Sequence, residues 1–234
     1  MPLITDIKIQ VKNTEKVSLF VDGKYSFSLT ISQLAEHKIL KTNQEISAKQ
    51  VAEFKKLSNL TNLYIRIVGL VYSRPRSEFE IRTKLKLKKL SPEEVEELVS
   101  KLKLKGYLDD QYFAKWWVDG RKSSRPISKL KLKSELAQKG VNSNLVNQVL
   151  EEGFSKEDEL SSLKKLIAKK ESKYPDQQKL IAHLASKGFS YQLIKECLKG
   201  DSDHNFWGLH LTTSNHETQG SRHPELVSGS IPKF

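Results

Sequence analysis

Along residues 17–30, VSLFVDGKYSFSLT, apolar and polar side chains alternate on both sides of Asp22-Gly23. Alternation with a period of two is the pattern of a half-buried strand, and Asp-Gly between two such runs signals a type I′ turn. The pattern predicts a small β-hairpin near the N-terminus. From about Ile31 the apolar spacing changes to three and four. SQLAEHKIL and SAKQVAEFKKL read as helices with Ser32 and Ser47 as N-caps, and in the second Val51, Phe54 and Leu57 or Leu60 share one face.

The next part of the chain repeats itself. LKLKKLSPEEVEELV (Leu85 to Val99), LAQKGVNSNLVNQVL (Leu136 to Leu150) and LASKGFSYQLIKECL (Leu184 to Leu198) superpose without internal gaps. Apolar residues coincide at Leu90, Val141 and Phe189, again at Val95, Val146 and Ile194, and at the pairs Leu98/Val99, Val149/Leu150 and Cys197/Leu198. A tandem structural repeat follows from this self-similarity.

Each repeat reads as three helices. The middle one starts at a cap just after a proline: Ser77 after Pro75, Ser128 after Pro126, Asp176 after Pro175. Proline disfavours helix at the residue before it, and the cap side chain binds free amides of the new helix. Ser91, Pro92 and Glu94 form a capping box for the third helix of the first repeat. The long first helices are expected at about Asn59 to Tyr72, Asp110 to Lys122 and Lys156 to Lys173, with Gly106, Gly140 and Gly188 as helix stops. The predicted organisation is an N-terminal hairpin and helices over 1–57, repeats over 58–105, 106–153 and 154–200, and a disordered tail over 201–234, where helical periodicity gives way to Ser, Thr, Asn, Gly and His.

Composition narrows the function classes. In 234 residues, 40 Lys and Arg against 28 Asp and Glu give a net charge of +12, which favours polyanions or acidic protein surfaces as partners. The excess sits in the predicted folded part, because the tail holds only Arg222 and Lys233 against Asp201, Asp203, Glu217 and Glu225. No apolar run is long enough to span a bilayer, and MPLITDIKIQ lacks a basic stretch followed by an apolar one, so the expectation is a cytoplasmic protein without membrane contact. The single cysteine, Cys197, allows no internal disulfide and aligns with Leu98 and Val149 as a core position.

The candidate chemistry is binding. Arg74, Arg76, Arg82, Lys84, Lys86 and Lys88 cluster on and before the middle helix of the first repeat. Arg121, Lys122, Arg125, Lys129, Lys131 and Lys133 do so in the second. Like charges at helical spacing repel by a few tenths of a kcal/mol per pair, a cost that an anionic partner would offset. Arg74 and Arg125 stand at equivalent places before a proline, one residue outside a helix, so their side chains are expected to extend from the repeat surface without a role in the buried apolar stripe. Trp116 and Trp117 point about 100° apart on one helix, so Phe113 and Trp117 are expected in the core and Trp116 at a repeat boundary. Asp109 and Asp110 read as caps rather than metal ligands, and the tail histidines His204, His210, His216 and His223 match no compact ligand pattern. No phosphate-cradling glycine loop, paired-carboxylate motif or nucleophile signature is present.

RPRSEFEIRTKL, then GYLDDQYFAKWWVDGR, RPISKLKLKSELAQKGV and LASKGFSYQLIKECL together resemble the RecX family, bacterial regulatory proteins that modulate the RecA recombinase. The resemblance covers roughly residues 15–200. It implies an all-α, elongated, curved array of three three-helix, helix-turn-helix-like repeats without catalytic activity; a monomer without cofactor is expected. It further implies a partner, the RecA filament on single-stranded DNA, whose ATPase, strand-exchange and coprotease activities the protein would suppress. Arg74, Arg76, Arg82, Arg121, Arg125, Lys129, Lys131 and Lys133 are the expected partner-binding residues, with weak, sequence-independent contact to bare nucleic acid. Direct DNA binding by the helical units is the alternative function, and a protein-interaction scaffold a third. Tyr174 departs from the pattern, standing where the other repeats have arginine before the proline.

Overall fold

The computed structural model describes residues 1–11, 13–39 and 41–205. Strands β1 (Leu3–Gln10), β2 (Asn13–Val21), β3 (Lys24–Thr30) and the two-residue β4 (Gln44–Glu45) form one antiparallel sheet in the order β3-β2-β1-β4. The predicted hairpin is β2-β3, and Asp22 and Gly23 both take positive φ, 49° and 76°, as a type I′ turn requires. Its pairs Val17 with Leu29 and Leu19 with Phe27 put four apolar side chains on one buried face. Strand β1 extends the sheet beyond the hairpin. A register shift between Ile4 and Asp6 breaks the alternation that would have announced it.

Helix α1 (Ile31–Glu36) is capped by Thr30 in a reciprocal box with Gln33, two residues before the expected Ser32. Helix α2 (Ala48–Ser73) starts at Ser47 as predicted, but it is one 26-residue helix where the periodicity suggested two. Ser58-Asn59 is no helix breaker. The Ser58 hydroxyl turns inward instead and accepts the Ser28 amide of β3 at 3.1 Å. One end of α2 packs Phe54 against the sheet, and the other packs Ile67 into the first three-helix unit.

That unit is completed by α3 (Glu78–Lys86) and α4 (Pro92–Leu104). The second is α5 (Asp110–Ser124), α6 (Lys129–Gln138) and α7 (Ser143–Gly153). The third is α8 (Lys156–Lys170) with a 3-10 turn (Glu171–Lys173), α9 (Gln177–Ser186) and α10 (Tyr191–Asn205). Ser77, Ser128 and Asp176 cap the middle helices, and Ser91, Pro92 and Glu94 form the expected box. Gly106, Gly140 and Gly188 follow helix ends at φ of 71°, 74° and 91°. In the first unit Lys89, at φ 55°, stands where the other two carry Gly140 and Gly188.

Among the described residues four separate apolar cores result, one under the sheet and one in each three-helix unit, so the units are joined in series. Cys197 is buried in the third unit. Phe113 is fully buried, Trp117 packs against the same core, and Trp116 is 36% exposed. Helix α10 runs to Asn205, past Gly200, where the tail was expected to begin; the rest of the predicted disordered tail, with His210, His216 and His223, lies outside the described residues. Among the described residues no helix is long and apolar enough to cross a membrane, and no three His, Cys, Asp or Glu residues group as metal ligands.

Candidate polyanion-binding surface

Consecutive three-helix units meet at a joint that occurs twice. At the first, the Ser77 hydroxyl accepts the Glu80 amide at 3.1 Å, capping α3, and donates to the Lys139 carbonyl at the end of α6 at 2.7 Å. At the second, Ser128 accepts from the Lys131 amide at 3.2 Å and donates to the Lys187 carbonyl at the end of α9 at 2.8 Å. Each serine therefore satisfies orphan groups of two helices in different units, and both are fully buried. A carboxylate adds a second link at each joint. Asp110 accepts the Glu78 amide at 2.7 Å, and Glu159 accepts the Lys129 amide at 2.7 Å. Burial holds the Asp110 carboxyl above its usual range.

Glycine is required where the units touch. A Cβ on Gly140 would lie 2.3 Å from the Phe79 Cβ, and one on Gly188 would lie 2.7 Å from the Ser128 Oγ, each in a backbone conformation that L residues rarely adopt.

Charge separates the two joints. Three residues after its cap serine the first joint carries Glu80, whose carboxylate takes Arg74 at 3.0 and 3.2 Å and Lys139 at 2.8 Å. Burial would raise the Glu80 pKa, but the Arg74 and Lys139 hydrogen bonds and charges outweigh it and hold the carboxyl below its ordinary value. Lys139 and Arg121 also sit over the Trp117 ring, 5.2 and 4.4 Å from its centre. The Trp117 indole N–H, Arg121 and Arg125 all donate to Glu135, at 3.0, 2.6 and 3.1 Å.

These contacts engage the arginines within the chain. Arg74 and Arg125 lie outside the apolar cores, and both close ion pairs to carboxylates that are mostly shielded from solvent. Arg121 does the same, and Arg82 is held by Glu78 at 2.6 Å and Glu96 at 2.8 Å. Much of the apparent like-charge crowding is thus compensated across helices. Arg76 differs, since its Nε is buried without a hydrogen-bond partner.

At the second joint the position of Glu80 is taken by Lys131. A cavity of about 400 Å³ opens there, lined by Lys131, Lys169, Lys170, Lys187 and Arg125 over a floor that includes Ile127, Leu166 and Phe189. None of the four lysines has a carboxylate within ion-pair distance among the described residues. Lys129 and Lys133 lie apart from it, in a cavity of about 440 Å³ that also holds Glu151 and Glu159. The structure therefore gathers Arg125 and Lys131 from the expected set, places Lys129 and Lys133 elsewhere, and adds Lys169, Lys170 and Lys187. The alignment of Glu80 with Lys131 was visible in the sequence; the convergence of two lysines from the last turn of α8 and one from the C-cap of α9 was not.

Three stretches match descriptions of one family: residues 2–47 the regulatory protein RecX N-terminal domain, 109–150 the RecX second three-helix domain and 157–198 the RecX third three-helix domain. The chain is 31% identical over 204 residues to the regulatory protein RecX of Bacillus subtilis strain 168, covering 85% of this chain and 76% of that protein. It is 30% identical over 198 residues to that of Listeria monocytogenes serotype 4b strain CLIP80459, covering 82% and 73%. A crystal structure of regulatory protein RecX superposes with a TM-score of 0.70 at 26% identity, covering 85% of this chain and all of that one.

Proposed function

The chain belongs to the RecX family, and from that premise we propose that it regulates the RecA recombinase by binding the RecA filament on single-stranded DNA, without catalysing a reaction of its own. Bound there, it lowers the filament's ATPase, strand-exchange and coprotease activities in the cytoplasm, and so restrains DNA repair and the SOS response. The observation that carries the reading is the series of three-helix units with separate cores, which supplies reach along a filament that a single globule of this size lacks. Net positive charge suits a partner that combines acidic protein surface with enclosed DNA.

The test is ATP hydrolysis by RecA on single-stranded DNA as the full chain is added. Strong inhibition well below one molecule per recombinase supports action on the filament. Inhibition that appears only as the protein saturates the DNA supports the second reading, direct and sequence-independent DNA binding, which the unpaired lysines of the second joint favour.

A further inference from the structure

Two joints built on the same hydrogen bonds are expected to carry similar charge unless one of them has another task. The first is neutralised by Glu80, between Arg74 and Lys139. The second has lysine in the corresponding place, with Lys187 and the last turn of α8 facing the same cavity.

Local helix physics explains only part of this. Lys169 and Lys170 close α8, where the helix dipole favours cations. Lys131 does not fit that account. It lies in the first turn of α6, at the positive end of the dipole, and that turn contains no acidic residue, whereas the first turn of α3 has Glu78 and Glu80. The field of the cluster is felt nearby. Burial and the charges of Lys187, Lys170 and Lys173 hold the His183 imidazole below its ordinary range, and its Nε2 is buried without a partner.

We propose that the cavity between the second and third units binds phosphate groups of a polyanion, with Lys131, Lys169, Lys170 and Lys187 supplying the charge. An anion there offsets the mutual repulsion of the four ammonium groups. Phosphate suits the cluster better than carboxylate. Planar, bidentate carboxylate recognition is the strength of arginine, and the one arginine lining the cavity is already bonded to Glu135. Lysines act as point charges around a multiply charged group. The open cavity admits either the sugar-phosphate backbone of a nucleic acid or a free polyphosphate.

The proposal does not rest on the recombinase reading, because its assay contains no recombinase; either idea can fail without the other. Anisotropy of a labelled oligo-dT strand is measured with the full chain across a salt series, alongside Lys131→Glu, Lys187→Glu and the control Lys49→Glu in the N-terminal unit. The expected result is that each joint variant weakens binding by about tenfold and lowers the slope of log affinity against log salt by about one, while the control stays within about twofold. Inorganic tripolyphosphate is titrated as competitor and as sole ligand. Loss of oligonucleotide affinity with little competition identifies the backbone as ligand; tripolyphosphate binding that the joint variants abolish identifies a free polyphosphate, and both outcomes support a phosphate site. Lys169→Gln combined with Lys170→Gln, on the surface of α8, repeats the test without touching the joint itself. Unchanged affinity in all three variants, or no binding of either probe by the parent, overturns the proposal.

Discussion

The two joints differ in one respect that their hydrogen bonding conceals. Both use a buried serine to tie two helices, and both need a glycine where the neighbouring unit presses close. In the first, Lys139 meets Glu80 across the joint at 2.8 Å, and Arg74 meets the same carboxylate from within its own unit at 3.0 and 3.2 Å. In the second, like charges face one another around open space. Apolar packing and backbone capping are therefore separable from electrostatics in this repeat. Geometry is common to the two joints, and charge distinguishes them.

The largest effects should come from the shared geometry. Gly140→Ala places a methyl group into Phe79 at positive φ, and a loss of about 2–4 kcal/mol in denaturant-unfolding stability is expected. Gly188→Ala meets a hydroxyl and should cost less, about 1–3 kcal/mol. If Gly140→Ala were tolerated without loss, the close approach of the units would be wrong.

Ser77→Ala and Ser128→Ala each remove one cap and take away the hydroxyl that donates to the Lys139 or Lys187 carbonyl at the end of the next unit's middle helix. A loss of about 1–3 kcal/mol is expected for each, and the two should agree within about 1 kcal/mol. A large inequality would show that the joints are not equivalent in their hydrogen bonding.

Glu80→Gln should destabilise by about 1–2 kcal/mol at neutral pH, since it leaves Arg74 and Lys139 facing each other. The sign of its pH dependence is fixed. The Glu80 pKa is lowered in the folded state, so its contribution is complete above the ordinary glutamate value of about 4.3 and disappears as pH falls through the folded value. Glu80→Gln should accordingly flatten part of the acid limb of the thermal-midpoint profile.

A smaller effect is expected beside the second joint. The His183 pKa is lowered, so the stability linked to its neutral form is complete above the ordinary histidine value of about 6.5 and declines as pH falls below it. An NMR titration should place His183 below that value, and tripolyphosphate should raise it. A His183 that titrates normally with and without the anion would contradict the positive field assigned to the cavity.

How much of this was legible depends on the range of each interaction. The caps at Ser47, Ser77, Ser91, Ser128 and Asp176 are local, and the sequence predicts them at the residues where they occur. Strand β1 was hidden by its register shift, and the continuity of α2 by Ser58, a polar residue between two periodic stretches whose hydroxyl is used by the distant Ser28 amide. The ion pairs of Arg74 and Arg125 were hidden for a similar reason. The proline beside each fixes where the helix stops, but Glu80 and Glu135 come back to them only after the chain has turned. Lys139 and Lys187 reach their joints from the following unit, a relation that no short window of sequence contains.

The most direct test of the difference between the joints is the thermal midpoint of Lys131→Glu against the parent as ionic strength is raised. The substitution puts a carboxylate at the place Glu80 holds in the first joint, among Lys169, Lys170 and Lys187. At low salt the variant should melt about 2–4 °C higher, corresponding to roughly 1 kcal/mol of relieved repulsion in a protein of this size. In about 1 M salt, where the screening length falls to about 3 Å, the gain should vanish. A midpoint that is unchanged or lower at low salt would mean that the lysines do not burden the second joint, and the contrast between the two joints would fail.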